Sequence, residues 1–470
     1  MFAHTRLRLI RASKRFLAGF AALIVVVGAI RMVWGWEASA RLEKARAQVT
    51  ANHFQLDSQK LLPPPVPDDQ NGAVAMLECI NREHVDLPDP SRRGDGRFFG
   101  FGRFFGPMNA VKIRKQIADN AEALSWLDRA GQAPRVEWEV NADGSPRQLD
   151  DERLYSASFD IQALLREAAQ VAHMERNDEV AIGYLERVLV LARVVGARQS
   201  LLSKEFASNM RSEAALSLDG WEAELQYRGD TGRAVQRIIG ELVASTSDSD
   251  EMKHAFQYET ATYSDVVLQK CPALDDWWIQ PLTIDSFARR LTLQMELMPI
   301  VEATNWQEVT LVPLEHKADA SNLNNIVLAI SVPRYMVAEA MRARFHAMSD
   351  ARGVTETLAA YLYREDKGAF PERAGQLVPD YLPALQVDPF ATDGRVLRYR
   401  RDAGGPTVWS VGENGKDEEG VVSMTGMPMF GNSRRYNQPD IVYGAAWRAA
   451  AATLPGPGPG PSMGTGNRRR

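Results

Sequence analysis

From Phe16 to Ile30 every residue is apolar or glycine, and after one interruption at Arg31 the run resumes through Met32, Val33, Trp34, Gly35 and Trp36. As a helix rising about 1.5 Å per residue, Phe16 to Trp36 reaches about 30 Å, the thickness of a bilayer's hydrocarbon core. Arg6, Arg8, Arg11, Lys14 and Arg15 precede it with no acid among them. An apolar run beside such a flank predicts a transmembrane helix over 16–36, with the basic segment 1–15 held on the cytoplasmic side and the bulk of the chain outside. The expected location is therefore the inner (cytoplasmic) membrane, crossed once. Arg31, near the far end, would snorkel to the headgroups, and Trp34 and Trp36 suit the interface. Ala38-Ser39-Ala40 offers the competing reading of a cleaved signal peptide. Against it, the apolar stretch is long for that use, and Arg31 with two tryptophans makes a poor cleavage region. Glu37 to Ala51, rich in Ala, Leu, Arg and Lys, predicts that the helix continues into the outer space.

Beyond the anchor, 470 residues with 45% apolar and 24% charged content leave room for ordinary folded domains. The net charge of −5, with basic runs only at the two ends, argues against a nucleic-acid partner. Cys79 and Cys271 are too few for a disulfide framework or a four-thiolate zinc site. One bridge between them, or two small buried hydrophobes, are the readings left open.

Pro63-Pro64-Pro65-Val66-Pro67 ends any helix and reads as a stiff spacer, followed by a short helix through Ala75, Met76, Leu77 and Ile80. Between Gly96 and Gly106 the string Gly-Arg-Phe-Phe-Gly occurs twice, read as a hinged loop tucking its rings onto the body. The segment 37–110 thus holds the juxtamembrane helix, spacer and loop. A helical body is predicted over 111–332. Ile161, Leu164, Leu165, Ala168 and Ala172 form one stripe, and Arg176-Asn177-Asp178 breaks it. Ile182, Leu185, Val188, Leu189 and Ala192 form the next, so the two helices make a hairpin. Val235, Ile238, Ile239 and Leu242 mark a further helix. The spacing of Ala181, Leu185 and Val188 resembles the second helix of a tetratricopeptide repeat, without a clean recurrence. Stacked hairpins of that kind commonly bind protein.

Constellations for catalysis are missing from the pattern. The seven histidines are scattered and make no His-Glu-x-x-His pair, and neither a Gly-x-Ser-x-Gly elbow nor a phosphate loop occurs. Asp275-Asp276-Trp277-Trp278 is read as a helix start with its rings in the core.

Toward the C-terminus a helix runs after Pro333 and stops near Lys367-Gly368. Val396–Arg400 and Thr407–Val411 read as strands of a hairpin turning at Asp402–Gly405. The strings GAFPERAGQLVPDYL, DPFATDGRVLRYR, VWSVGENGKDEEG and PDIVY follow in order. Over 333–443 they resemble the C-terminal module of pseudopilin G, the major pseudopilin of type II secretion. They are more similar still to bacterial single-pass proteins ending in that module. The resemblance implies a small α+β fold and a calcium ion held by the Val411 carbonyl, Asn414 and Asp440. A hard cation wants six to eight oxygens, and Asp417, Glu418 and Glu419 could supply some, the other reading being a solvated acidic turn. Asn414 stands where the family has an aspartate, and 421–439 lengthens the loop. Gly19-Phe20 matches a prepilin-peptidase site, but Ile24 stands in place of its glutamate.

The expected fold is therefore mainly α: an N-terminal transmembrane helix, a helical-hairpin body and a small module with an antiparallel sheet. A tail over 444–470, ending LPGPGPGPSMGTGNRRR, is too poor in apolar residues to fold. The expected role is a non-catalytic binding or scaffold protein of the cell envelope, anchored through Phe16–Trp36 and meeting protein partners outside. An accessory component of a type II secretion or pilus-like assembly and an envelope enzyme sited in the helical body are the alternatives.

Overall fold

The computed structural model describes residues 2–85, 110–245, 250–270, 277–310, 334–422 and 438–452. The Gly96–Gly106 repeat, Cys271, Asp275, Asp276, most of the lengthened loop and the end of the tail lie outside them. The protein is mainly helical, with a long apolar helix at the N-terminus and a small three-stranded antiparallel sheet near the C-terminus. It divides into two compact units. One is built from Met1–Leu62, Lys253–Val301 and Pro313–Val337, and the other from Pro63–Met252, Glu302–Val312 and Ala338–Arg470.

In the first unit α1 (Phe2–Ala51) is unbroken, and α10 (Gln280–Val301) packs against it. Side chains from Arg15 to Ile30 are almost all exposed, whereas Arg31, Ala38, Ala45 and Val49 are buried. Arg31, Ala38 and Ala45 repeat every seven residues, which keeps them on one helix face, and the two alanines let the neighbouring helix approach closely. From α10 come Phe287, Leu291, Leu297 and Ile300, all buried. Beyond the end of α1, Phe54 meets Phe256 of α9 (Asp250–Lys270) edge to face at 6.3 Å. The Ser58 amide donates to Asp265 of the same helix at 3.1 Å.

The second unit begins with α2 (Gly72–Arg82), capped by the Asn71 side chain, which accepts from the Ala73 amide at 3.0 Å. This helix packs on α4 (Ala121–Gln132), and α3 (Ala110–Asp119) on α5 (Asp151–Met174). At the centre lies α6 (Asp178–Gly196), in contact with α4, α5, α7 (Leu201–Trp221) and α8 (Gly229–Ala244). Such encirclement demands apolar residues on more than one face. Ile182, Leu185, Val188, Leu191, Val194 and Val195 are all fully buried. The α5–α6 hairpin turns at Arg176, whose φ of 61° is left-handed. Cys79 on α2 is a buried free thiol, pushed up to about 12 by burial and the nearby Glu83.

After the short α11 (Trp306–Thr310), α12 (Arg334–Lys367) carries the C-terminal sheet. Strands β1 (Arg398–Asp402), β2 (Gly405–Ser410) and β3 (Ile441–Gly444) lie in that spatial order, with Arg398 opposite Trp409 and Ser410 opposite Ile441. The last described helix is α13 (Ala445–Ala451). The sheet is fastened to the helical body by buried polar groups. Asp350 of α12 accepts from Tyr443 of β3 at 2.9 Å and from Ser212 of α7. The Gly444 amide donates to Asp219 of α7 at 2.9 Å, and Arg448 pairs with Glu222 just past the end of α7.

Candidate functional site

The acidic turn after β2 is where the resemblance pointed to a ligand, and several of its side chains have defined partners. Gly412 opens the turn with φ 62°, and a Cβ there would stand 2.4 Å from the Pro439 carbonyl oxygen, so only glycine fits. Glu413 faces α12, where its carboxylate accepts from Arg342 Nε at 3.0 Å and meets His346 Nε2 at 2.8 Å. Burial would raise this acid, but the contacts with His346 and Arg342 outweigh it and hold the carboxyl below its ordinary range. From the other side, Gln307 of α11 donates to the Glu413 carbonyl at 3.1 Å. Asn414 turns inward on the loop, accepting from the Lys416 amide at 2.8 Å and donating to Glu418 at 3.0 Å.

Asp417 and Asp440 differ in kind. Both oxygens of Asp417 are engaged: one by the Trp409 indole and the Glu419 amide, each at 3.0 Å, the other by Arg398 at 3.1 Å. Asp440 is fully buried, and its Oδ2 accepts from the Glu418 and Gly420 amides at 3.0 and 2.8 Å. Among the described residues its Oδ1 has no hydrogen-bond partner, and neither has Glu418 Oε2, also buried. Burial, with the negative charges of Glu418 and Asp417 added, pushes the Asp440 carboxyl up to about 6. Two orphaned carboxylate oxygens on one loop are donors that suit a hard cation. Asp417 accepts from Trp409, the Glu419 amide and Arg398 instead of being left without partners. Among the described residues no group of three or more His, Cys, Asp or Glu side chains is placed to hold a metal ion.

No family model, curated protein or solved structure matches this chain.

What the loop rests on went unread in the sequence. Asp388, of the Asp-Pro-Phe string, is fully buried and takes four hydrogen bonds. They come from the Phe390 amide at 3.0 Å, Ser410 Oγ at 2.6 Å, the Val411 amide at 3.0 Å and Arg398 at 2.7 Å. An aspartate before Pro-Phe is a turn signal, so the Phe390 contact could be foreseen; the reach to Val411 depends on the sheet register. Thus Val411 is held by its amide and Asn414, Glu418 and Asp440 surround the loop, while Arg398 bridges Asp388 and Asp417.

The helical body has other polar contacts. His173 stacks on Trp221 at 4.5 Å and meets Asp178 at 2.7 Å, an arrangement that joins the end of α5 to the start of α6. Two carboxyls are strongly raised by burial, Glu205 to about 7 and Glu356 to about 8. They sit on different helices, α7 and α12, and neither contributes to the other's shift. Trp277 and Trp278 correct the expectation of rings in the core. They are 49% and 57% exposed, ahead of an α10 that starts only at Gln280.

Proposed function

We propose that this chain is a single-pass envelope protein with its N-terminus in the cytoplasm, displaying a non-catalytic binding or scaffold body outside the cytoplasmic membrane. The observation that carries this reading is the bare half of α1. Its apolar window has a mean hydropathy of 2.4 and is only 6% buried. A core helix of a water-soluble protein is covered by its neighbours, and this one needs lipid instead. The basic flank sets the direction. Support for a non-catalytic role comes from the loop after β2, whose polar groups are mostly spent on holding backbone and neighbouring helices.

A second reading is favoured by the orphaned oxygens of Asp440 and Glu418. In it the C-terminal module is pseudopilin-like and takes a calcium ion there, which would neutralise two acids and stiffen the loop as a contact for a secretion or pilus-like assembly. Protease added to intact spheroplasts tests both. The body should be digested from outside, leaving a short N-terminal fragment that resists extraction at alkaline pH. Cleavage within 411–440 should slow in calcium and recover in chelator if the second reading holds. Full protection of the C-terminus in spheroplasts would reverse the topology. Cleavage indifferent to calcium would remove the ion.

A further inference from the structure

We infer that Trp277, Trp278 and Ile279 form a second membrane contact, a short segment carried below the lipid surface on the outer side by its bond to Arg31. This rests on the reading of α1 as a membrane span. The argument starts from length. If α1 fills the hydrocarbon core from Phe16 to Trp36, Arg31 lies about 7 Å inside its outer edge, five residues short of Trp36. A guanidinium at that depth requires acceptors or a path to water. The structure gives it acceptors. Arg31 is only 6% exposed, and its Nε donates to the Trp277 carbonyl while its Nη2 reaches Gln280 Oε1 at 3.4 Å. Its guanidinium also lies 4.9 Å from the centre of the Trp277 ring. Gly35 makes the approach possible, because a Cβ there would stand 2.6 Å from Arg31 Nη1.

Trp277 is therefore brought close to the depth of Arg31, and the exposed side chains from 277 to 279 are apolar. Trp277, Trp278 and Ile279 are 49%, 57% and 46% exposed, and the two indoles meet edge to face at 4.6 Å. Large exposed rings beside water would be a liability. Next to a helix whose lower half is bare, and followed by Pro281, which lies 3.8 Å from where a Gly35 Cβ would stand, they extend the same lipid-facing surface. Indoles favour this layer because the ring sits among acyl chains while the N–H reaches polar headgroups. A protein partner for the patch is the competing occupant; continuity with the bare face of α1 favours lipid.

The test uses the full chain in phosphatidylethanolamine–phosphatidylglycerol vesicles containing lipid brominated near the top of the acyl chains. Bromine quenches only tryptophans at its depth. With Trp34, Trp36, Trp277 and Trp278 in that layer, Trp277→Phe with Trp278→Phe should cut the quenched emission by about half. A nitroxide on Ile279→Cys, with Cys79→Ala and Cys271→Ala, should collide more with oxygen than with a water-soluble nickel complex, which reads the same depth without removing either tryptophan. Quenching unchanged by the double substitution, or a nitroxide open to nickel, overturns the inference while the span stands, and leaves the patch to a protein. Loss of the unsubstituted chain from vesicles at alkaline pH overturns the span itself, and the inference with it.

Discussion

Glu356 sits within α12 with no exposed surface and, among the described residues, no hydrogen-bond partner for either oxygen. Burial alone pushes its carboxyl up to about 8 from an ordinary 4.5. An acid raised in the fold is favoured there in its protonated form. Its contribution to stability is thus whole below pH 4.5 and is lost progressively as pH climbs toward 8. Glu356→Gln keeps the shape without the ionisation. The melting temperature of the variant should exceed that of the parent at pH 8 by an amount that shrinks toward pH 5, with a stability difference of a few kcal/mol at the upper end. Equal melting curves at pH 8 would show that the parent carboxyl finds a partner there. At this scale the sequence was least informative. An acid inside a 34-residue helix reads as a solvated face until packing shows otherwise. Asp388 and Asp440 were equally unreadable as buried groups, because nothing local distinguishes them from the exposed acids Asp393 and Glu419.

Among the elements, those with a 3.6-residue stripe were legible. The hairpin of α5 and α6, the break at Arg176 and the stop of α12 at Lys367 all follow from apolar spacing and turn residues. The two hairpin strands were also read, each within two residues of its observed start. What spacing cannot supply is the joint between elements. Asp388 is such a joint, tying the Asp-Pro-Phe turn, the head of β1 through Arg398, and the end of β2 through Val411. Asp388→Ala should leave Arg398 without its buried partner and cost about 3–5 kcal/mol, as breaking a buried ion pair does. The denaturant midpoint should fall accordingly, and amide exchange should rise first at Val411 and Phe390. A loss under 1 kcal/mol would mean that the turn is held by its neighbours instead. The misread start of α10 has a similar cause. Acids before two tryptophans look like a capped helix entering a core, and only the tertiary bond from Arg31 shows that the chain is held there for another reason.

For the molecule as a whole, the long apolar N-terminal helix was legible, but what packs along its second half was not. The C-terminal half of α1 is packed, with Ala38, Ala45 and Val49 buried in the unit that also holds α10. A chain shortened to begin at Pro63 should therefore leave Phe287, Leu291 and Leu297 uncovered, bind a hydrophobic dye strongly and self-associate. Amides of the α5–α6 hairpin, in the other unit, should keep their protection from exchange. A monomeric, dye-silent fragment would show that α10 finds other cover. The same helix has a mechanical side. It runs from Phe2 to Ala51 with no proline to bend it, so its bare and its packed lengths are one rod. A bilayer thinner than the rod's apolar length makes it lean. On the proposed span, α10, which packs along the other half of the rod, would lean with it, and membrane thickness would become a lever on its orientation.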